Sequence, residues 1–496
     1  MKPVYALRIL VLVFVLFGAS CAGTEKIVIM HFNDTHSYML PYIDANKESL
    51  GGAARMVTIV NMYRVKYPDM LLVQAGDTLS GTLFSSVYKG TMNIELMNQM
   101  KFDIMTIGNH EFDYGLSNIL ALKTMAQFPM MSANIFDKNS GERIFLPYMI
   151  KNIHGVKIVF VGLTTSNLGV INQDAVQSIK IIPEAEALKG LLSTLELMKT
   201  NDLLICVTHS GFTQDMELAA AVPGIDVIIG GHTHTPVFTP VYVSNTMILQ
   251  AGYYGLYAGL LTLDIADGKI ASHVYELISI NSNITEDKDT VLYISNKNAA
   301  FKDMMAEKVC DSDIYFEQQG IRENQLPLGN FIADIIWQST PGADMAIVNA
   351  GSIRYYLPDG VVTLGDITAV SPFDNELCVV KLQGKYVKEI MLAGVKNRGE
   401  GAFLYYSKGV KIVADKSKAP VITFKGKPID DKKIYKIAVS DFMSKGGDNY
   451  VQFTKGVDVI HTGLNFRDLI IVYLKKLKKI TGKSVDMTKR VILPAI

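Results

Sequence analysis

The 496-residue sequence has only 4 cysteines, 1 tryptophan and no net charge, its 48 Lys+Arg being matched by 48 Asp+Glu. Four cysteines in a chain of this length cannot form a disulfide framework, and no C-x-x-C pair suggests a zinc ribbon or redox motif. Balanced charge leaves no excess of Lys/Arg to displace counterions from a phosphate backbone, which removes the global argument for a nucleic-acid partner. Beyond the N-terminal segment no apolar run reaches about 18 residues, so no membrane-spanning helix is expected. The 39 glycines and 16 prolines carry no period, and neither solenoid repeats nor low-complexity tracts are present. A hydrophobic content of 49% excludes a disordered chain, and the length predicts about two to four domains.

What is there begins with Lys2 and Arg8, an apolar run from Ile9 to Phe17, and Gly18-Ala19-Ser20-Cys21. The run is too short to cross a bilayer of roughly 30 Å but has the length of a signal-peptide core. The segment predicts export. It resembles a bacterial lipoprotein signal, with cleavage before Cys21 and lipid on its sulfur, although Gly18 stands where that pattern has Leu. Ordinary secretion with an incidental Cys21 is the simpler alternative. Cys206, Cys310 and Cys378 are scattered and read as buried small hydrophobes.

The first half repeats a β-branched apolar run followed by polar or glycine residues and a helical stretch. Ile27 to Met30, Leu71 to Val73, Ile104 to Ile107, Ile158 to Val161, Leu203 to Val207 and Val227 to Ile229 are such runs. Continuous apolar runs suit strands covered on both faces, which predicts an α/β architecture. The stretch 287–308 reads as a mostly exposed helix, serving as a linker or as a peripheral helix of the first domain. A second, α+β unit follows, with strands expected at 345–348, 377–380, 410–413 and 435–439. The expected plan is a signal at 1–20, a catalytic domain at 21–286, a helical linker at 287–309 and a second domain at 310–496.

Five segments end or follow apolar runs with metal-ligand residue types: HFNDTHSY at 31–38, QAGDTLSG at 74–81, TIGNHEFDYG at 106–115, VTHSG at 207–211 and IIGGHTHTP at 228–236. In α/β sheets functional groups gather beyond the carboxyl ends of the strands, so these segments can converge on one crevice. Asp, His and Asn suit Zn²⁺, Mn²⁺ and similar ions, with no thiolate to force a structural zinc site. Asp34-x-His36 and His232-x-His234 can reach two adjacent ions from tight loops, and Asp77, alone after its strand, is the natural bridging carboxylate. Any one of these residues alone would read as a turn, a helix cap or satisfied structure. The combination points to a dinuclear site. His31, His154, His273 and His461 sit in no comparable cluster and receive no role.

The second half carries Arg322-Glu323-Asn324 before LPLGN, NAGSIR at 349–354, SPFDN at 371–375 and SDFMSKGGDNY at 440–450. A nucleotide needs a flat apolar surface for its base, a carboxylate for ribose hydroxyls and arginine for charge. Phe373 and Phe442 stand in polar loops and could stack a base, or simply plug the core.

With these motifs together, the sequence resembles the calcineurin-like metallophosphoesterases and, within them, the 5′-nucleotidase and UDP-sugar hydrolase family, over nearly the whole mature chain. The resemblance implies a four-layer α/β/β/α sandwich with a second α+β substrate-binding domain. It implies two divalent ions, drawn from Zn, Mn, Mg and Co. Asp34, His36, Asp77 and His234 would hold the first, and Asp77, Asn109, His209 and His232 the second, Asp77 bridging. His110 and Asp113 match the family's catalytic dyad, and Ser37 replaces the Gly that often follows the Asp-x-His pair. Phe373 and Phe442 match the base sandwich, Asp448 the ribose-binding Asp, and Asn349 and Arg354 polar contacts to the nucleotide. Arg322 matches an arginine at a longer spacing than usual, and Lys445-Gly446-Gly447 departs from Asn-Gly-Gly. The implied reaction is in-line attack by metal-bound hydroxide without a phosphoenzyme, releasing phosphate from extracellular nucleotides for salvage. A nucleotide-sugar or 2′,3′-cyclic-nucleotide hydrolase is the alternative, and an inactive surface binding lipoprotein a more distant one. With metals in one half and base contacts in the other, substrate must bridge a cleft that closure about 287–308 would assemble.

Overall fold

The computed structural model describes residues 24–43, 48–168, 171–195, 203–299, 301–373, 375–414 and 420–493. The signal segment and the lipidation position Cys21 lie outside the described residues.

The apolar runs form strands because each finds partners on both faces. In the strand Glu25–Phe32, Ile27 and Ile29 enter one core while Val28 and Met30 enter another, and all four are buried. That strand belongs to a six-stranded sheet in the order Lys269–Ser279, Tyr257–Ala266, Glu25–Phe32, Leu71–Gln74, Ile104–Thr106, Met130–Met131, whose last four strands are mutually parallel. A second six-stranded sheet runs Val241–Val243, Thr246–Gln250, Val227–Gly230, Leu203–His209, Val156–Thr164, Tyr148–Ile153, with its four central strands parallel. The sheets pack face to face through Ile27, Ile29, Val73, Phe160, Ile205 and Ile229. Helices Ala53–Lys66 and Thr91–Gln99 cover the outer face of the first sheet, and Glu184–Leu195 and Phe212–Ala221 that of the second. The result is the expected α/β/β/α sandwich. Truncating a central residue such as Ile29 to Ala would cost about 2–5 kcal/mol.

The stretch expected as an exposed linker forms two helices, Lys288–Ala299 and Lys302–Met305. Leu292 and Met304 do face solvent, but Ile294 and Phe301 are buried in the first core, so the segment is docked on the sandwich. The chain then enters the second unit through Lys308–Ser312, which pairs with Gly360–Thr363 and Lys479–Ile480. The central sheet there is mixed, in the order Leu404–Tyr406, Met345–Asn349, Ile434–Ser440, Glu376–Gln383, Asp458–Asn465. Helices Pro327–Gln338 and Phe466–Leu477 cover one face and Gly384–Lys396 the other. Val410–Val413, expected as a strand, lies in a separate four-stranded sheet. Cys206, Cys310 and Cys378 are buried and unpaired with one another, as expected. Among the described residues no helix is long and apolar enough to cross a membrane.

Candidate active site

The two sheets bring the carboxyl ends of their parallel strands to one place, and the metal-ligand residue types sit in the turns that leave those strands. Asp34, His36, Asp77, His232 and His234 all have positive φ, at 50°, 48°, 52°, 80° and 60°. A left-handed non-glycine residue costs about 1 kcal/mol or more, and such strain collects at functional sites. Backbone hydrogen bonds impose it here. Asp34 N–H donates to Gly76 O at 3.0 Å, His36 N–H to Asp77 O at 3.1 Å and Tyr254 N–H to Asp34 O at 2.7 Å. Gly76 is required by close approach, because a Cβ there would lie 2.5 Å from His209 Nδ1.

These turns assemble two ligand triads, Asp34/His36/His234 and Asp77/His209/His232, each with its donor atoms within 4.8 Å of one another. Thus His232 and His234, two residues apart, serve different triads, while Asp34 and His36 share one. His234 Nε2 lies 3.2 Å from Asp34 Oδ1 and 3.1 Å from His36 Nε2. Asp77 Oδ2 lies between the groups, 3.0 Å from His209 Nε2 and 3.9 Å from His36 Nε2. Asn109 Oδ1 is 2.9 Å from His232 Nδ1. Backbone carbonyls hold the far sides of two rings, Leu79 O at 2.9 Å from His36 Nδ1 and Ala75 O at 2.7 Å from His209 Nδ1, which turns both Nε2 atoms inward.

The donor set fits a pair of divalent ions. Asp34 Oδ1 and His209 Nε2 are buried and make no hydrogen bond despite their close neighbours, so the pocket leaves polar atoms in want of a partner. Burial pushes His36 well below its usual pKa, His232 down to about 3 and His234 down to about 4, keeping these imidazoles neutral. Burial opposes ionisation of Asp34 and Asp77 too, yet His234 and His209 beside Asp34, and His209 and His110 beside Asp77, hold both carboxyls below their usual range. Burial also works against His209, but Asp77 and Asp34 draw it up to about 10. Two carboxylates in one buried pocket thus demand positive charge.

Glu111 lies within the 106–115 segment, where the local sequence gives no sign of its role. Fully buried, it accepts from the backbone N–H of Asp77 at 2.9 Å, Thr78 at 2.7 Å and Gly108 at 2.7 Å, and from Thr78 Oγ1 at 2.9 Å. It therefore fixes the Asp77 turn to the Asn109 turn. Asn33 acts similarly, donating to Asp34 Oδ2 at 2.7 Å and to Gly252 O at 2.6 Å. Two tyrosines are also new to the site. Tyr253 stacks on His234 at 5.0 Å, and Tyr254 packs edge-on against His36 at 5.9 Å.

Beside the triads, His110 Nδ1 lies 2.7 Å from Asp113 Oδ2, which also accepts from Ser80 Oγ. Burial lowers the His110 pKa, Asp113 and Asp77 outweigh it, and Arg354 pulls back down. Arg354 Nη2 lies 2.9 Å from His110 Nε2. Arg354 belongs to the second half of the chain, so the two halves meet here. Tyr38 Oη also donates to Arg354 O at 2.9 Å, and Ser86 Oγ to Pro372 O at 2.9 Å. Phe373 stacks with His110 at 6.1 Å and lies under the Arg354 guanidinium at 5.2 Å. Asn349 Nδ2 donates to Asp448 Oδ2 at 2.7 Å. Phe442 is set by Gly447, where a Cβ would lie 2.5 Å from its ring. Arg322, Asn349, Arg354, Phe373, Phe442 and Asp448 line one cleft of about 840 Å³ with Asp77, Asn109, His110, Asp113, His232 and His234. Every substrate-contact candidate of the sequence therefore reaches the same cavity.

Paired α/β sheets with two Asp/His clusters at their strand ends define a metallophosphoesterase. Residues 27–236 match the family described as calcineurin-like phosphoesterase, and residues 306–455 match the 5′-nucleotidase C-terminal domain. A snake venom 5′-nucleotidase from Crotalus adamanteus is 30% identical over 92% of this chain and 88% of its own. The trifunctional nucleotide phosphoesterase YfkN of Bacillus subtilis is 30% identical over 95% of this chain, which spans 35% of that longer protein. The crystal structure of a 5′-nucleotidase precursor from Thermus thermophilus superposes with a TM-score of 0.87 at 25% identity, covering 94% of this chain and 99% of that one. The chain belongs to the 5′-nucleotidase family, whose members are metal-dependent phosphoric monoester hydrolases using two divalent ions.

Proposed function

We propose that this protein is an exported 5′-nucleotidase that releases phosphate from nucleoside 5′-phosphates for nucleotide salvage. One observation carries the reading: the ligand triads and the aromatic, Asn/Asp and Arg groups of the second half line a single cleft, joined where Arg354 touches His110. In this reading residues 21–286 form the catalytic domain, 287–309 the helical linker and 310–496 the nucleotide-binding domain.

Asp34, His36, Asp77 and His234 would hold one ion, and Asp77, Asn109, His209 and His232 the other. Bound there, the ions supply Lewis acidity, making water nucleophilic at neutral pH and neutralising phosphoryl charge. Asp113 orients the His110 imidazole, which stabilises charge on a transferring oxygen. Arg354 adds a fixed positive charge at the same point. Phe373 and Phe442 face the base, Asp448 takes ribose hydroxyls in a position set by Asn349, and Arg322 supplies charge at the rim.

The cleft volume of about 840 Å³ lies toward the upper end for small-molecule sites and leaves room for a larger leaving group. That favours nucleotide-sugar hydrolysis as a second reading. Export rests on the charged, apolar and small-residue segment ending at Cys21, whose sulfur we assign as the lipid acceptor, and agrees with a relative named as a venom protein.

The test is phosphate release from AMP, ATP, UDP-glucose, 2′,3′-cyclic AMP and an aryl phosphate, with Mn²⁺ or Zn²⁺ and with chelator. Chelator-sensitive hydrolysis favouring AMP is expected. Activity indifferent to the base would leave a metallophosphoesterase without nucleotide selectivity.

A further inference from the structure

A third cluster of metal-ligand atoms lies in the second half, apart from both triads: Glu376, Cys378 and His461. Cys378 and His461 are directly opposed on the antiparallel strands Glu376–Gln383 and Asp458–Asn465, and a register shift between Glu376 and Cys378 re-aims the glutamate. Cys378 Sγ lies 3.4 Å and Glu376 Oε2 3.0 Å from the same atom, His461 Nδ1. A ring nitrogen carries at most one proton, so it can donate to only one of these neighbours. A cation at this point would take a lone pair from each of the three at once.

We propose that Glu376, Cys378 and His461 bind a zinc ion. Tetrahedral zinc with Zn–S of about 2.3 Å and Zn–N of about 2.0 Å places sulfur and nitrogen about 3.5 Å apart, close to the spacing found here. The mixed sulfur, nitrogen and oxygen set selects a borderline-soft ion over Mg²⁺ or Ca²⁺. The sulfur is buried, while the His461 side chain is 53% exposed, giving the ion a route in and leaving a fourth position to water. As the Zn–S bond forms, the thiol proton leaves to solvent. The Glu376 N–H donates to Asp441 Oδ1 at 3.1 Å, so the site adjoins the short helix Asp441–Ser444 that carries Phe442.

Cobalt(II) titration of the full chain tests this independently of catalysis, because the two active-site triads contain no sulfur. A near-ultraviolet thiolate-to-cobalt band is expected in the wild type and in Cys21→Ser, Cys206→Ser and Cys310→Ser. It should vanish in Cys378→Ser, and His461→Ala should weaken apparent affinity at least about tenfold. No band in the cobalt-saturated wild type, or a band that persists in Cys378→Ser, overturns the proposal. Mn²⁺-dependent phosphate release shows that each variant is folded. Should a variant fail there, X-ray absorption of the zinc-loaded wild type decides, a zinc–sulfur distance of about 2.3 Å supporting the site and the absence of any zinc–sulfur scatterer overturning it.

Discussion

Arg354 Nη2 and His110 Nε2 lie 2.9 Å apart although 244 positions separate them in the chain. The contact places a permanent cation from one half against an imidazole from the other, at the mouth of the ligand triads. Truncating Arg354 to Ala should lower kcat/KM for AMP by about 10²-fold, the usual effect of losing one preorganised donor. Arg354→Lys should recover little, because a point charge cannot reproduce the fork that spans His110 and the face of Phe373. Steady-state kinetics beside a thermal melt separates this from unfolding.

Glu111→Gln keeps the size of the side chain but removes the charge that collects four backbone N–H groups, those of Asp77, Thr78, Leu79 and Gly108. Metal affinity should fall about 10–100-fold, the range seen when groups supporting ligands are altered. Isothermal titration with Mn²⁺ reads this directly, and excess metal should restore much of the turnover.

Gly447→Ala places a methyl group against the Phe442 ring. It should therefore behave as a lesion of the base site, raising KM for AMP while sparing an aryl phosphate. Phe373→Ala with Phe442→Ala should do the same more strongly, at about 1–3 kcal/mol per lost stacking partner. Equal losses on both substrates would contradict this assignment.

Metal should stabilise the fold, because Asp34 Oδ1 and His209 Nε2 are buried without hydrogen bonds. Free metal at 100 times its dissociation constant adds about 2.7 kcal/mol. Calorimetry with chelator and then with restored Mn²⁺ should show Tm falling and recovering.

Asp215 gives a pH prediction. Burial pushes its carboxyl up to about 8, with Thr208 Oγ1 donating to Oδ1 at 2.6 Å and Oδ2 making no hydrogen bond. The folded state keeps a proton that the unfolded chain releases near its ordinary pKa of about 3.9, so this group's contribution to stability erodes as pH rises toward 8. Asp215→Asn should gain stability relative to wild type at pH 8 compared with pH 5, as read by urea unfolding with metal present.

The residues of the two candidate triads could be picked out as a group because their chemistry is declared by residue type and each follows an apolar run. The paired sheets were legible for the same reason, since Ile27 to Met30 needs cover on both sides. Glu111 was not, because a single acid between His110 and Phe112 gives no sign that it faces backbone amides of another turn. Nor was the docking of 287–308, whose polar majority hides two anchors, Ile294 and Phe301. The Tyr38–Tyr254 stack at 3.8 Å joins residues 216 positions apart in chains of ordinary loop composition, and no local pattern announces it.

The left-handed turns that carry Asp34, His36 and Asp77 are tied to one another by main-chain bonds. Any change that loosens those amides, even one far from a ligand-type side chain, would therefore move donor atoms of both triads at once, so the two triads are vulnerable as one unit.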